Sequence, residues 1–210
     1  MRQQTPEDVR REISDEVIRK VLNDKYLSFA IDKLSINEDL IGRNTNIYCA
    51  LTITNLEGKK IEYDIEGSGR GLVDALFNSL TARLVDDCHS LSNLRLVEFS
   101  IKVDEADLKK LRRKGRGTDA HVEAYIGINN GSGKVIPFDC RSQSMIAVAV
   151  GVVQNTIEFF VNSERAVLRL KDLINNAKER NRGDLCSQYT VMLSDLVYNT
   201  SYEKSLKDNQ

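Results

Sequence analysis

The chain has 210 residues, 41% of them hydrophobic and 29% charged, with a formal net charge of -1. That is the composition of an ordinary globular protein, long enough for one medium domain or two small ones and for a real core. A balance so near neutral excludes a global field that would draw in nucleic acid or an anionic membrane.

The first expected element is a helix. Thr5 can cap it, Pro6 suits its first turn, and Glu7 and Asp8 suit its positive end. Val9, Ile13, Val17 and Val21 recur every four residues and are expected to form its apolar stripe, ending near Asn23 or Asp24. A weak strand signal follows over 27–36. In TNIYCALTI, Ile47, Cys49, Leu51 and Ile53 share a face, and after a turn at 55–59, Ile61, Tyr63 and Ile65 alternate with Glu62, Asp64 and Glu66. Three glycines in five positions come next (67, 69 and 71), then a helix striped by Leu72, Leu76, Leu80 and Leu84.

The order then recurs. Val97, Phe99, Ile101 and Val103 alternate with charged and polar residues, and a charged arm over 104–117 leads to a strand carrying Ala120, Val122, Ala124, Ile126 and Ile128 on one face. NNGSG is a hairpin turn, KVIPFDC the returning strand, and 144–161 a helix apolar almost all round. Such a helix must be covered on more than its sheet side, by the C-terminal helices or by a second copy. Two more stripes close the chain, Val167 to Ala177 and Leu185 to Val197, broken at Asn181-Arg182-Gly183. The expected fold class is therefore α+β. It has an N-terminal helix over 1–26, two β-β-β-α units over 27–88 and 92–163, and a helical extension over 164–210.

The glycines fail as a nucleotide motif. A dinucleotide fingerprint needs glycine where Leu72 stands, and no G-K-[ST] follows for a P-loop. They read either as a tight turn with positive φ or as backbone N–H groups at a helix N-terminus suited to a carboxylate. His89 and His121 have no acid or nucleophile partner in the sequence, and no metal-ligand spacing is present, so no catalytic residue, metal or cofactor is expected. The basic run over 109–117 lacks aromatics and follows Asp104, Glu105 and Asp107, which favours a solvated arm over nucleic-acid binding. Cysteines at 49, 88, 140 and 186 make no C-x-x-C, no signal peptide precedes them, and the apolar run over 145–153 is too short for a bilayer. Reduced thiols in a cytoplasmic protein without a membrane partner are expected.

Together GSGRGLVDAL (67–76), LVEFSIKV (96–103), GRGTDAHVEAYIGI (115–128) and the segment 138–162 resemble the C-terminal regulatory domain of the 2-isopropylmalate synthase family, which includes citramalate and some homocitrate synthases. The resemblance spans roughly residues 45–162 and implies a homodimer that binds a small amino or oxo acid effector at its glycine loops. By position it assigns Gly67, Ser68, Gly69, Arg70, Gly71, Leu72, Val73, Asp74 and Ala75 to the first loop. Gly117, Asp119, Ala120 and Arg141 fall to the second unit. Here the family's loop proline is absent, Arg70-Gly71 lengthens the loop by one residue, and Arg141 and Gln143 stand in the segment before the second helix. The family's catalytic (β/α)8 barrel does not fit in this length and no H-x-H is present, so the expected function is a stand-alone effector-binding module acting on a separate catalytic chain. The alternatives are a dimerisation or docking scaffold and, third, nucleic-acid binding through 109–117.

Overall fold

The computed structural model describes residues 5–54, 60–115, 119–131 and 133–200. The helix α1 (Pro6–Leu22) opens with a full capping box: Asp8 N–H donates to Thr5 Oγ1 while Thr5 N–H donates to Asp8 Oδ2 at 2.7 Å. Its buried face is not the expected stripe. Val9 and Ile13 are 43% and 45% exposed, whereas Ser14, Ile18 and Leu22 are buried, with Val17 and Val21 packed beside them. Ile18 and Leu22 lie one position along, so the helix is rotated to bury the larger pair.

Two three-stranded antiparallel sheets follow. Sheet A orders β1 (Ser28–Asp39), β2 (Asn44–Thr54) and β3 (Lys60–Gly69) as 1-2-3 and leads into α2 (Leu72–Leu84). Sheet B orders β4 (Arg95–Val103), β5 (Val122–Asn129) and β6 (Val135–Ser142) as 4-5-6 and leads into α4 (Met145–Glu179). The α+β class and the repeated three-strand unit, each closed by a helix, are as expected. Each unit also carries a register shift in its first strand, between Ile31 and Lys33 in β1 and between Leu96 and Glu98 in β4. The expected inner rows hold: Ile47, Cys49, Leu51 and Ile53 in sheet A, and Val122, Ala124, Ile126 and Ile128 in sheet B, are buried. The turn expected over 55–59 lies outside the described residues.

The charged arm is in part a helix, α3 (Glu105–Arg112). Asp104 caps it by accepting from Ala106 N–H and Asp107 N–H, with acids in the first turn and Lys109, Lys110 and Arg112 in the last. Nor does the second long helix stop near 161. It runs unbroken to Glu179 because 162–165 is polar but contains no breaker, so the expected boundary at 163/164 falls inside α4. The break comes at Asn181, φ 54°, where Asn181 N–H bonds Lys178 O and Arg182 N–H bonds Ala177 O. This is a Schellman turn with asparagine as the left-handed residue, and α5 (Gly183–Thr200) starts straight after it.

The covering of α4 comes from within the chain. It packs against β5, β6, α1, α2 and α5, and it also reaches β1. There Gln154, Glu158 and Asn162 accept from the backbone N–H groups of Ile31, Phe29 and Leu27 at 3.2, 3.0 and 2.8 Å. Four residues per step on the helix meet two per step on the strand, and the edge of sheet A is closed by side chains instead of another strand. By length and composition α4 would suffice to cross a membrane, more than the run over 145–153 suggests, yet most of its apolar residues from Val148 onward are packed into one continuous core reaching from Ile18 to Leu196, with Met145, Ile146 and Leu168 exposed.

Candidate functional site

The glycines are not a turn. Gly67 and Gly69 belong to β3, opposite Ile47 and Thr45, and only Arg70 and Gly71 link strand to helix. Neither Gly67 nor Gly69 has positive φ. Both are needed because α2 lies directly on the strand. A β-carbon on Gly67 would overlap Ser79 Oγ, and one on Gly69 would come within 2.5 Å of Ala75 N. The second unit makes the same close contact with the roles exchanged: Gly151 on α4 faces Cys140 on β6, where an added β-carbon would lie 2.7 Å from the sulfur.

The remaining residues of the first loop divide by role. Val73 and Ala75 face the core. The exposed Asp74 turns its carboxylate back over the start of α2, accepting from Arg70 N–H at 3.0 Å through Oδ2 and from Asn78 Nδ2 at 3.0 Å through Oδ1. Its negative charge already sits at the positive end of the helix, where an effector carboxylate would have to compete. Ser68 and Arg70 are exposed, and the Arg70 guanidinium makes no ion pair among the described residues. Gly67 and Ser68 border a shallow depression of about 700 Å³ on the outer face of sheet A, with Asn37, Asn46, Tyr48 and Glu66.

Arg141 lies elsewhere, in a trough of about 1420 Å³ whose floor is the outer face of sheet B and whose walls are α1 and α3. Its guanidinium donates to Asp104 at 2.6 Å and stands 3.8 Å from Glu123. Backbone hydrogen bonding from Asp107, helped by Arg141, holds the Asp104 carboxyl below its ordinary value. Arg11 enters from α1 with its guanidinium over the Phe138 ring, 4.0 Å from Asp139, and its buried Nε has no hydrogen-bond partner among the described residues. Arg11, Lys102, Lys109 and Arg141 face Asp8, Glu12, Glu98, Asp104, Glu105, Glu123 and Asp139 here, so the trough is acidic. Asp119 offers its carbonyl to Gln143 Nε2 at 3.3 Å, and Ala120 is buried. Gly117 lies outside the described residues. The two sets of loop residues thus border different surfaces, and neither depression contains members of both.

His121 does have an acid partner that the sequence conceals. Its Nδ1 lies 2.7 Å from Asp107 Oδ2, and Asp107 also accepts from His121 N–H at 3.0 Å. The side-chain bond to His121 is the main cause holding the Asp107 carboxyl below its ordinary value. The signal was faint because α3 brings together residues fourteen apart. No hydroxyl or thiol bonded to this pair is found among the described residues, so it anchors α3 to β5 and supplies no nucleophile. Burial pushes the Cys49, Cys88 and Cys140 thiols up, keeping them protonated. Among the described residues no cluster of three or more His, Cys, Asp and Glu could hold a metal ion.

No protein-family model matches the chain, and no curated protein sequence matches it.

Proposed function

We propose that the chain is a non-catalytic regulatory module, built on the plan of the 2-isopropylmalate synthase regulatory domain, that binds a small amino or oxo acid beside the junction of β3 and α2. The observation that carries this reading is the repeated unit itself, in which each third strand abuts the start of its helix through a glycine-mediated contact. On the exposed side of the first junction, Ser68 supplies a hydroxyl and Arg70 a guanidinium with no ion pair among the described residues, a pair suited to a carboxylate. The module is placed in the cytoplasm, with reduced thiols, and its target is a separate catalytic chain. Such a ligand shifts that target only by its difference in affinity between two states.

A second reading, a scaffold whose effector pocket has decayed, is favoured by one specific arrangement. Asp74 covers the α2 start and Arg141 is neutralised by Asp104 and Glu123, so both places where an effector's carboxylate would be held are already answered. Thermal unfolding with branched-chain amino acids, oxo acids and acidic analogues separates the two. A bound effector at a hundredfold excess over Kd stabilises by about 2.7 kcal/mol. The first reading expects a raised Tm with one compound class, abolished by Arg70→Ala, a change at an exposed side chain. An unchanged Tm with every compound establishes the scaffold reading.

A further inference from the structure

The two sheets differ at their first strands. The edge of β1 is closed up to Ile31 by the side chains of α4. β4 lies at the end of its sheet, pairs with β5 on one side, and among the described elements packs substantially against no other. Phe99 and Val103 stand in the cross-strand rows of the buried Ile126 and Val122, yet they are 47% exposed, as is Val97 at 49%. Val103, Val122 and Ser142 form one row at the end of the sheet where α4 begins, and there Met145 and Ile146 add further exposed apolar surface. Apolar side chains along an open edge are the usual setting for addition of another strand.

The residues of this edge specify which strand. Val97-Glu98-Phe99-Ser100-Ile101-Lys102-Val103 has the same apolar–polar pattern read from either end, with Ser100 at its centre, and the charges at mirrored positions are opposite. Antiparallel pairing of two copies about a two-fold axis at Ser100 sets Glu98 of each copy opposite Lys102 of the other. It also sets Phe99 opposite Ile101, within the stretch Glu98–Val103 that follows the register shift at Val97. Lys102 makes no ion pair among the described residues, and Glu98 accepts only a 3.1 Å bond from Tyr125 Oη. A lysine in mid-edge ordinarily keeps foreign strands away; a strand bearing glutamate in the mirrored place satisfies it.

We propose that β4 is a self-association edge, through which two copies pair β4 to β4 across Ser100 and join their B sheets into one six-stranded sheet. The association needs no effector and stands apart from the reading of the β3–α2 junction. It moves the expected dimer surface from α4, already covered within the chain, to the open edge.

Light scattering and sedimentation of the full chain over a range of concentrations test this, with circular dichroism confirming that each variant is folded. The wild type is expected to be a dimer. Glu98→Lys and Lys102→Glu each place like charges opposite one another twice over, and each should weaken dimerisation roughly tenfold. The double variant Glu98→Lys/Lys102→Glu restores both pairs and should recover the dimer. Under oxidation Ser100→Cys should cross-link to itself, whereas Glu98→Cys should not. A monomeric wild type overturns the proposal, and so do folded single variants that dimerise normally or a double variant no better than the singles.

Discussion

At Gly67 and Ser79 two elements approach so closely that only one of them has room for a side chain, and the second unit solves the same contact with Cys140 and Gly151. The arrangement predicts a specific non-additivity. Gly67→Ala alone forces α2 off the strand and should cost about 1–3 kcal/mol in urea unfolding. Ser79→Gly alone should cost about 1 kcal/mol for lost helix propensity and its 2.5 Å bond to Ala75 O. Together they imitate the second unit, and the double variant should be more stable than the sum of the single effects requires; strict additivity would show that the contact is not shared. Composition alone could not distinguish this role from a turn, because a glycine needed for close approach and one needed for positive φ are written identically. The clue lay in the partner: the small Ser79 stands among the bulky apolar residues of α2.

Among the elements, α1 was legible to its cap, since Thr5 and Asp8 have the capping-box spacing, but not to its face, because Val9–Ile13 and Ile18–Leu22 are competing stripes that only packing arbitrates. The helix α3 went unread because its charges suit a solvated arm equally well; Asp104 with its bonds to Ala106 and Asp107 was the missed signal. On α4, Gln154, Glu158 and Asn162 would look solvated by residue type, although polar residues four apart on so apolar a helix mark a second kind of partner. Glu158 accepts from Phe29 N–H and from Tyr26 Oη at 2.9 Å, and burial together with that carboxylate pushes the Tyr26 hydroxyl up. Glu158→Ala should strand both donors and cost about 2–4 kcal/mol, with faster amide exchange at Phe29 than at Ile65 on the covered strand β3. Equal exchange at the two sites would deny the helix this part in holding β1.

The molecule as a whole has one core, to which α1, both sheets, α2, α4 and α5 all contribute. Sequence patterning showed the duplication because inward and outward residues alternate in both units; it did not show how the units join, which depends on α4 crossing from one to the other. The join brings Glu164 against the segment after α2. Burial would raise this carboxyl, but hydrogen bonds from Cys88 Sγ at 2.8 Å and Ser90 outweigh burial and hold it below its ordinary 4.5. Asp104 and Asp107 are also lowered, and the Arg182 side chain brings Asp184 to about 2. A carboxyl lowered on folding contributes fully above its unfolded pKa, and the contribution is lost as pH falls through the folded value. Stability should therefore decline as pH drops below about 4.5, and Glu164→Gln should flatten part of that acid limb. An unaltered limb in this variant would assign the loss to the aspartates alone.

The three rungs between α4 and β1 also act as a vernier. Four helical residues advance about 6 Å and two strand residues about 6.7 Å, so the scales drift apart by under 1 Å at each step. Side chains of different reach (Asn162, Glu158 and Gln154) keep all three bonds between 2.8 and 3.2 Å. The next graduations on the helix are Ala166 and Val150, both without a polar group, and beyond Ile31 the strand shifts its register. The ruler thus ends at both limits, and a helix slid by one turn would lose a rung and bury an apolar side chain against an unpaired N–H. Axial position, which apolar packing alone leaves loosely determined, is fixed here by a polar ladder of only three rungs.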